Sequence, residues 1–306
     1  MHLLSPSLPR VADLVSGLHV MAALLGCLLV ATILVKRGRR PGPPGALQLQ
    51  VTSWWYLLPP VFLAWAIYPW GVPALVLAIS ALAARELAAL THHARPRLLT
   101  PAIVALLAVQ ALLYALDLGL WNVALMLAFS GLKLNAATFD PDARRDAVLQ
   151  VLFALQAAGL ACLAALPPVG MAREAAASWF LYVCIVTALN DIGQFLAGSR
   201  FGRHKLATRI SPNKTWQGVG GGLLASVGVS MAVGHALALA ALPWLAGMGV
   251  VLSVAGLAGD LLFSAGKRLL GVKDYSHLIP GHGGILDRVD SLVLTAPALL
   301  IALRLA

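Results

Sequence analysis

Residues 264–291 have the sequence SAGKRLLGVKDYSHLIPGHGGILDRVDS, a dense group of charges in an otherwise apolar chain. Apolar sequence leads up to this stretch from Trp244 and continues beyond it to Ala306. Charges of both signs between membrane-grade segments are costly unless they face water or line a cavity. An ordinary cytoplasmic loop would account for the basic residues, but not for the three aspartates or the PGHGG turn. The stretch therefore predicts a functional loop.

Helical spacing groups the polar residues on both sides of this turn. Before it, four residues at i, i+4, i+7 and i+8 form one stripe of a helix: Asp260, Ser264, Lys267 and Arg268. Beyond it, Asp287 and Asp290 are three residues apart and share a helical face. Paired carboxylates suit Mg²⁺, which takes one or two of them together with phosphate oxygens, and the neighbouring cations suit phosphates. The pattern predicts a magnesium-dependent phosphate site.

The composition excludes an ordinary soluble protein. Of 306 residues, 60% are hydrophobic and 11% are charged, whereas about a quarter of a soluble domain is charged. Alanine, leucine and valine are abundant, and nothing resembles the alternating strands of roughly ten residues that build a membrane barrel. We therefore expect an all-α, polytopic integral membrane protein.

Apolar runs of about 20 residues predict the membrane spans. We expect roughly ten spans, near residues 14–35, 53–70, 71–91, 99–116, 118–135, 148–169, 177–197, 218–241, 244–265 and 289–305. Arg85 and Glu86 interrupt the third span, where they either snorkel to the surface or pair with a neighbouring helix. We divide the chain into N-terminal transmembrane helices, 1–147, and a C-terminal catalytic half, 148–306, with cytoplasmic loops at 198–217 and 266–288.

The net charge of +10 comes mainly from alternate loops between the apolar runs. Such loops are typically cytoplasmic, so both termini are expected outside the cytoplasm and the 264–291 stretch inside it. Anionic lipid and phosphorylated substrates fit this charge better than nucleic acid does. The three cysteines lie inside apolar segments, at a spacing that fits neither a zinc site nor a disulfide framework.

A second polar region begins inside the seventh predicted span. Asp191 and Gln194 share a helical face there, beside Asn190. A carboxylate at membrane depth indicates either a functional site or a hydrogen bond between packed helices. Both interpretations place these side chains inside the helix bundle.

The segment SPNKTWQG, residues 211–218, opens the next span. Ser211 is a candidate N-cap with Pro212 in the first helical turn, and Lys214 and Thr215 are placed to meet a phosphate at the helix start. Glycines at 218, 220, 221 and 222 allow close helix packing. The segment is therefore a second candidate phosphate contact.

Both regions resemble signatures of the CDP-diacylglycerol synthases, or phosphatidate cytidylyltransferases. The C-terminal signature, S-x-apolar-K-R, then K-D, then H-G-G-x-x-D-R-x-D, matches at Ser264, Lys267, Arg268, Lys273, Asp274, His282, Gly283, Gly284, Asp287, Arg288 and Asp290. The other signature matches at Ser211, Pro212, Lys214, Thr215, Trp216 and Gly218. Three positions depart: Gly266 replaces an apolar side chain, Asn213 a common Lys, and Gln217 a common Glu. The last departure puts in doubt a role for a carboxylate at that position.

The resemblance implies transfer of a cytidylyl group from CTP to phosphatidate, with Mg²⁺, in a bacterial inner membrane and with the site facing the cytoplasm. Asp260, Asp287 and Asp290 would hold the metal. The catalytic candidates are Ser264, Lys267, Arg268, Lys273, Asp274, His282 and Arg288. The substrate-binding candidates are Asp191, Ser211, Asn213, Lys214, Thr215, Gly283 and Gly284. CTP, phosphatidate and membrane lipid are the expected partners, without nucleic acid, and a homodimer is compatible with this interpretation.

Two other functions stay open from the sequence. A transporter for an anionic solute would also contain basic clusters and intramembrane polar residues, although matching broken helices in two repeated halves would then be expected. A related CTP-using lipid enzyme, such as a polyprenol kinase or an archaeal-lipid cytidylyltransferase, would share the motif chemistry. Its reaction products would distinguish it.

Overall fold

The computed structural model describes residues 10–37, 45–90, 108–110, 112–113, 121, 128, 141–166, 173–279 and 283–306. Its helices are α1 (Arg10–Arg37), α2 (Ala46–Ala66), α3 (Gly71–Ala89), α4 (Pro141–Ala164), α5 (Arg173–Phe201), α6 (Trp216–Ala236), α7 (Leu242–Leu269), α8 (Leu286–Val289) and α9 (Leu292–Leu305). Two strands, β1 (Lys205–Ala207) and β2 (Ser211–Thr215), form a small sheet between α5 and α6. The helical membrane architecture is confirmed, with this hairpin as an addition.

Six helices in the described part of the chain are long and apolar enough to cross a membrane. They span Val15–Arg37, Gly71–Ala89, Ala147–Ala164, Ala175–Phe201, Trp216–Ala236 and Leu242–Leu269. The predicted count of roughly ten is not confirmed. The spans expected near 99–116 and 118–135 lie almost wholly outside the described residues, and α9, with 14 residues, is short for a crossing.

Helix α5 lies inside the bundle and packs against α6, α7, α9, α1 and α2. Its side chains Phe180, Leu181 and Tyr182 are fully buried. Trp179 meets the ring of Tyr182 edge-on, with the ring centroids 5.2 Å apart. Edge-to-face contacts of this kind add stability beyond the buried area, so α5 is a firm support for the polar residues near its C-terminal end.

Glycines bring α6 close to α5. A Cβ atom added at Gly218 would lie 2.9 Å from the backbone oxygen of Gln194, and one added at Gly222 would lie 3.0 Å from Asn190 Oδ1. Side chains at these positions would force the two helices apart. The predicted glycine packing is therefore confirmed here, whereas Gly220 faces open space.

The expected start of α6 is corrected by the hairpin. Strand β2 pairs antiparallel with β1, with Ser211 opposite Ala207 and Thr215 opposite Lys205. The Thr215 hydroxyl accepts a hydrogen bond of 3.1 Å from the Gly218 amide, so Thr215 is the N-cap. The prediction that Ser211 caps the helix, with Pro212 in its first turn, is wrong because strand pairing engages the backbone of that segment.

Candidate active site

Lys214 joins the hairpin to two membrane helices. Its Nζ donates a 2.8 Å hydrogen bond to Gln194 Oε1 on α5 and forms an ion pair of 2.5 Å with Asp260 Oδ2 on α7. The other oxygen of Asp260 accepts a 3.1 Å bond from Ser264 Oγ, one helical turn later. Only 16% of the Lys214 side chain and 24% of the Asp260 side chain are exposed, so water screens the pair incompletely. The two polar regions of the sequence thus meet at one place.

Asp290 brings a third part of the fold, the junction of α8 and α9, to the same site. It is 7% exposed, between α8 and α9, and its Oδ1 accepts a 2.8 Å bond from the Ser291 amide. Gly259 on α7 packs directly on the backbone oxygen of Asp290. Asp290 also interacts electrostatically with Asp191 on α5 and with Asp260. We call Asp191, Asp260 and Asp290 the carboxylate cluster.

Two buried nitrogen donors near the carboxylate cluster have no hydrogen-bond partner among the described residues. They are Gln194 Nε2 and Arg288 Nε. The Gln194 amide contacts Lys214 through its oxygen, and Arg288 interacts electrostatically with Asp191 and Asp290. A buried donor without a partner costs about 1–3 kcal/mol. A phosphate oxygen would satisfy such donors, which supports an anion-binding role for the place.

A magnesium ion that arrives with a phosphate substrate would meet the carboxylate cluster. Within the described residues, no group of three or more His, Cys, Asp and Glu side chains is gathered at metal-ligand spacing. Mg²⁺ in phosphate-handling sites needs only one or two carboxylates, because phosphate oxygens and water complete its shell. Asp260 and Asp290 are two such carboxylates, but both oxygens of Asp260 are engaged by Lys214 and Ser264, so their role as metal ligands stays a prediction.

Asp287, the other predicted metal ligand, is occupied by contacts within the protein. Its Oδ1 accepts a 2.7 Å bond from the Lys267 ammonium group. Its Oδ2 accepts bonds from the amides of Tyr275, at 3.1 Å, and Gly284, at 2.9 Å. Asp287 therefore ties the polar loop, defined as the described residues 270–279 and 283–285, to the end of α7. Its role as a metal ligand stays a prediction.

Gly283 and Gly284 lie where two carboxylates press against the polar loop. Gly283 has φ +76°, a backbone conformation that favours glycine, and a Cβ there would lie 2.7 Å from Asp287 Oδ2. A Cβ at Gly284 would lie 2.5 Å from Glu86 Oε2. The glycines thus have a packing reason, while their predicted contact with substrate remains a prediction.

The remaining candidates lie farther out. Arg268 is exposed and donates from Nε to the Ile210 carbonyl at 3.0 Å, which links α7 to the hairpin. Lys273 and Asn213 are exposed, and Asp274 and Ser211 are half-buried. His282 lies outside the described residues.

For Glu86 on α3, the sequence leaves open whether the side chain snorkels to the surface or pairs with a neighbouring helix. The structure buries it to 5% exposure and leaves the adjacent Arg85 exposed, so the two residues behave differently. Glu86 accepts bonds from Ser276 Oγ at 2.6 Å, from the Ile285 amide at 2.7 Å and from the Leu286 amide at 3.1 Å. The signal that points to such a residue is a carboxylate inside an apolar helix.

Residues 48–306 match the family model described as the cytidylyltransferase family. The chain is 42% identical over 132 residues to the phosphatidate cytidylyltransferase of Staphylococcus aureus strain COL, covering 43% of this chain and 51% of that protein. It is 41% identical over 132 residues to the protein of the same name from Staphylococcus epidermidis strain ATCC 35984, with the same coverage.

A third relative carries no assigned activity. This is the uncharacterized protein YnbB of Escherichia coli strain K12, which is 42% identical over 125 residues, or 40% of this chain and 42% of YnbB. The chain thus spans about half the length of the curated relatives it matches. Because the family model covers most of the chain, the family resemblance in the sequence is confirmed: the chain belongs to the cytidylyltransferase family.

Proposed function

We propose that the protein transfers the cytidylyl group of CTP to phosphatidate, giving CDP-diacylglycerol and pyrophosphate. The observation that carries the proposal is the ion pair between Lys214 and Asp260 on α7, the helix whose Gly259 packs on the backbone oxygen of Asp290, two residues after Arg288. Family membership and the named activity of the staphylococcal relatives support it. The combination of cations, hard-metal ligands and membrane helices suits a phosphate reaction with one lipid substrate.

In this reaction a phosphate oxygen of phosphatidate attacks the α-phosphorus of CTP. The bond from that phosphorus to the oxygen bridging the α- and β-phosphates breaks, and its electron pair leaves with pyrophosphate. The attacking oxygen is already ionised near neutral pH, so a strong general base is not needed. The difficulty is to bring two polyanions together and to stabilise the charge on the leaving group, which requires positioning and cations.

Different side chains of the site would bind the metal and the phosphates. Asp260 and Asp290 would hold Mg²⁺, with Asp191 as a third acidic neighbour. When bound, the metal supplies positive charge to the phosphates and to the departing pyrophosphate. Lys214 stands beside Asp260, so a phosphate bound there would also meet its ammonium group. Arg288 offers its buried guanidinium nitrogen to the same phosphates.

The lipid substrate would reach this place from the membrane. Exposed apolar side chains lie on both helices that lead to the carboxylate cluster, including Phe195 and Leu196 on α5 and Leu262 on α7. Acyl chains would pack against such surfaces while the phosphate headgroup meets the polar end. We propose that this end faces the cytoplasm, where CTP is present, and that the protein resides in a bacterial inner membrane.

The test uses purified protein, phosphatidate and CTP labelled at the α-phosphate. Label that enters the lipid, together with pyrophosphate release, is the expected result. Label that stays in CDP, with phosphate appearing on an alcohol, would show a kinase instead. Absence of turnover, with anion uptake into protein-containing vesicles, would show a transporter. An Asp260→Asn preparation serves as the control for contaminating activity.

A further inference from the structure

A carboxylate from the N-terminal half of the chain holds the polar loop of the C-terminal half. Glu86 accepts three hydrogen bonds from residues that follow it by 190 to 200 positions. Two of the donors are the backbone amides of Ile285 and Leu286, where the polar loop passes into α8. The third is the hydroxyl of Ser276, in the middle of the loop.

Asp287 also accepts hydrogen bonds from the backbone of this loop. It accepts the amides of Tyr275 and Gly284, the immediate neighbours of the Glu86 donors. A further backbone bond of 2.9 Å, from the Ile279 amide to the Gly283 carbonyl, closes the loop. Two carboxylates thus fix the polar loop at Tyr275 and Ser276 and again at Gly284 and Ile285, and the second of these places leads directly into Arg288 and Asp290.

The burial of Glu86 is costly for a residue that only fills space. Its charge is met by neutral donors, and no ion pair of Glu86 occurs among the described residues. Hydrogen bonds to an ionised carboxylate are about twice as strong as neutral ones, and they have a direction. A carboxylate at this position therefore specifies where the loop backbone lies, which an apolar side chain of similar size would not do.

We propose that Glu86 is a positioning residue for the proposed reaction. It fixes the backbone of Ile285 and Leu286 and, through them, the placement of Arg288 and Asp290 at the phosphate site. This inference rests on the proposed cytidylyl transfer. It makes α3 part of the support of the active site, so the catalytic unit includes part of the N-terminal half.

Glu86→Gln tests the inference at nearly constant size. The amide offers one acceptor atom instead of two, and its NH₂ group would face a backbone N–H. We expect faster hydrogen–deuterium exchange at the amides of Ile285 and Leu286. We also expect a kcat that is lower by roughly 10- to 100-fold, and a higher Mg²⁺ concentration at half-maximal activity. Arg85→Gln, one residue away but exposed, is the matched control and should behave like the wild type in all three measurements.

A merely structural role would reduce the yield of folded protein but not change the Mg²⁺ dependence of the folded molecules. Wild-type Mg²⁺ dependence and kcat in folded Glu86→Gln would therefore overturn the inference. If that variant does not fold, Ser276→Ala removes one donor and should shift both parameters in the same direction by a smaller factor; unchanged parameters would again overturn it. If the wild type transfers no label from CTP, the proposed function fails and the catalytic part of the inference fails with it. Amide exchange at Ile285 and Leu286 then decides separately whether Glu86 holds the loop.

Discussion

Lys214 and Asp260 form an ion pair of 2.5 Å that connects the β-hairpin to membrane helix α7. The pair places a cation and a candidate metal ligand side by side, at the same end of the bundle as Asp290 and Arg288. This combination suits a polyphosphate, because a metal ion and the ammonium group would together offset the negative charge of the phosphates.

Lys214→Ala should lower cytidylyl transfer by roughly 10- to 100-fold, because a charged hydrogen-bond partner of the phosphates is lost. The measurement is label transfer from CTP to phosphatidate, per folded molecule. Lys205→Ala, an exposed position on the paired strand, is the control and should stay close to wild type. Full activity in Lys214→Ala would show that the hairpin does not contribute to the site.

Gln217→Glu should be tolerated, with activity within about twofold of wild type. Gln217 Oε1 accepts the amides of Arg203 at 3.1 Å and His204 at 3.2 Å, and a carboxylate would accept both as well. His204 Nδ1, now 2.9 Å from Gln217 Nε2, would donate to the new oxygen. A tenfold loss of transfer would show that the neutral amide itself is needed.

Gly284→Ala should destabilise the polar loop by about 1–3 kcal/mol and reduce transfer, because the added methyl would collide with Glu86. Gly220→Ala is the comparison, since a Cβ there meets no atom within 4 Å. It should be neutral or stabilising by up to about 1 kcal/mol in a helix. Thermal unfolding in detergent measures both; equal melting temperatures would contradict the close packing of the loop on α3.

The loops near 36–44, 92–98, 136–147, 199–217 and 266–288 should face the cytoplasm, because they carry almost all of the positive charge. Single cysteines introduced at positions 205 and 273 should be protected from an impermeant thiol reagent in intact cells and react after permeabilisation. Strong labelling from outside at either position would contradict this orientation, because the site would then lie on the other side of the membrane from cytoplasmic CTP.

Contacts within one helix could be predicted from the sequence, because helical spacing alone places Ser264 one turn from Asp260. Contacts between distant segments could not be derived in this way. Nothing in the spacing of Glu86 indicates that it accepts the amides of residues about 200 positions later, since tertiary packing alone brings them together.

The hairpin shows how a local pattern can mislead. Ser211 followed by Pro212 has the composition of a helix start, and Thr215 is also a favoured N-cap residue. The choice between them depends on whether residues 211–215 find a strand partner. That partner, β1, has only three residues, which is too short for strand periodicity to be recognised.

The same substitution, Asp→Asn, should have different effects on stability at Asp287 and at Asp290. Asp287→Asn leaves Lys267 buried without its counter-charge, so we expect lower thermal stability as well as lower activity. Asp290→Asn can still accept the Ser291 amide through its oxygen, so we expect it to remain folded and monodisperse. Asp290 is therefore the cleaner test of metal binding.

The most direct measurement is label transfer from α-labelled CTP to phosphatidate by wild type and by folded Asp290→Asn, each with Mg²⁺ and with a chelator. The wild type should transfer the label, lose this activity with chelator and recover it when Mg²⁺ is restored. Asp290→Asn should lose most of the transfer at every Mg²⁺ concentration that supports the wild type. Transfer by Asp290→Asn at a rate near that of the wild type, or transfer by the wild type that chelator does not affect, would contradict the proposed metal-dependent site.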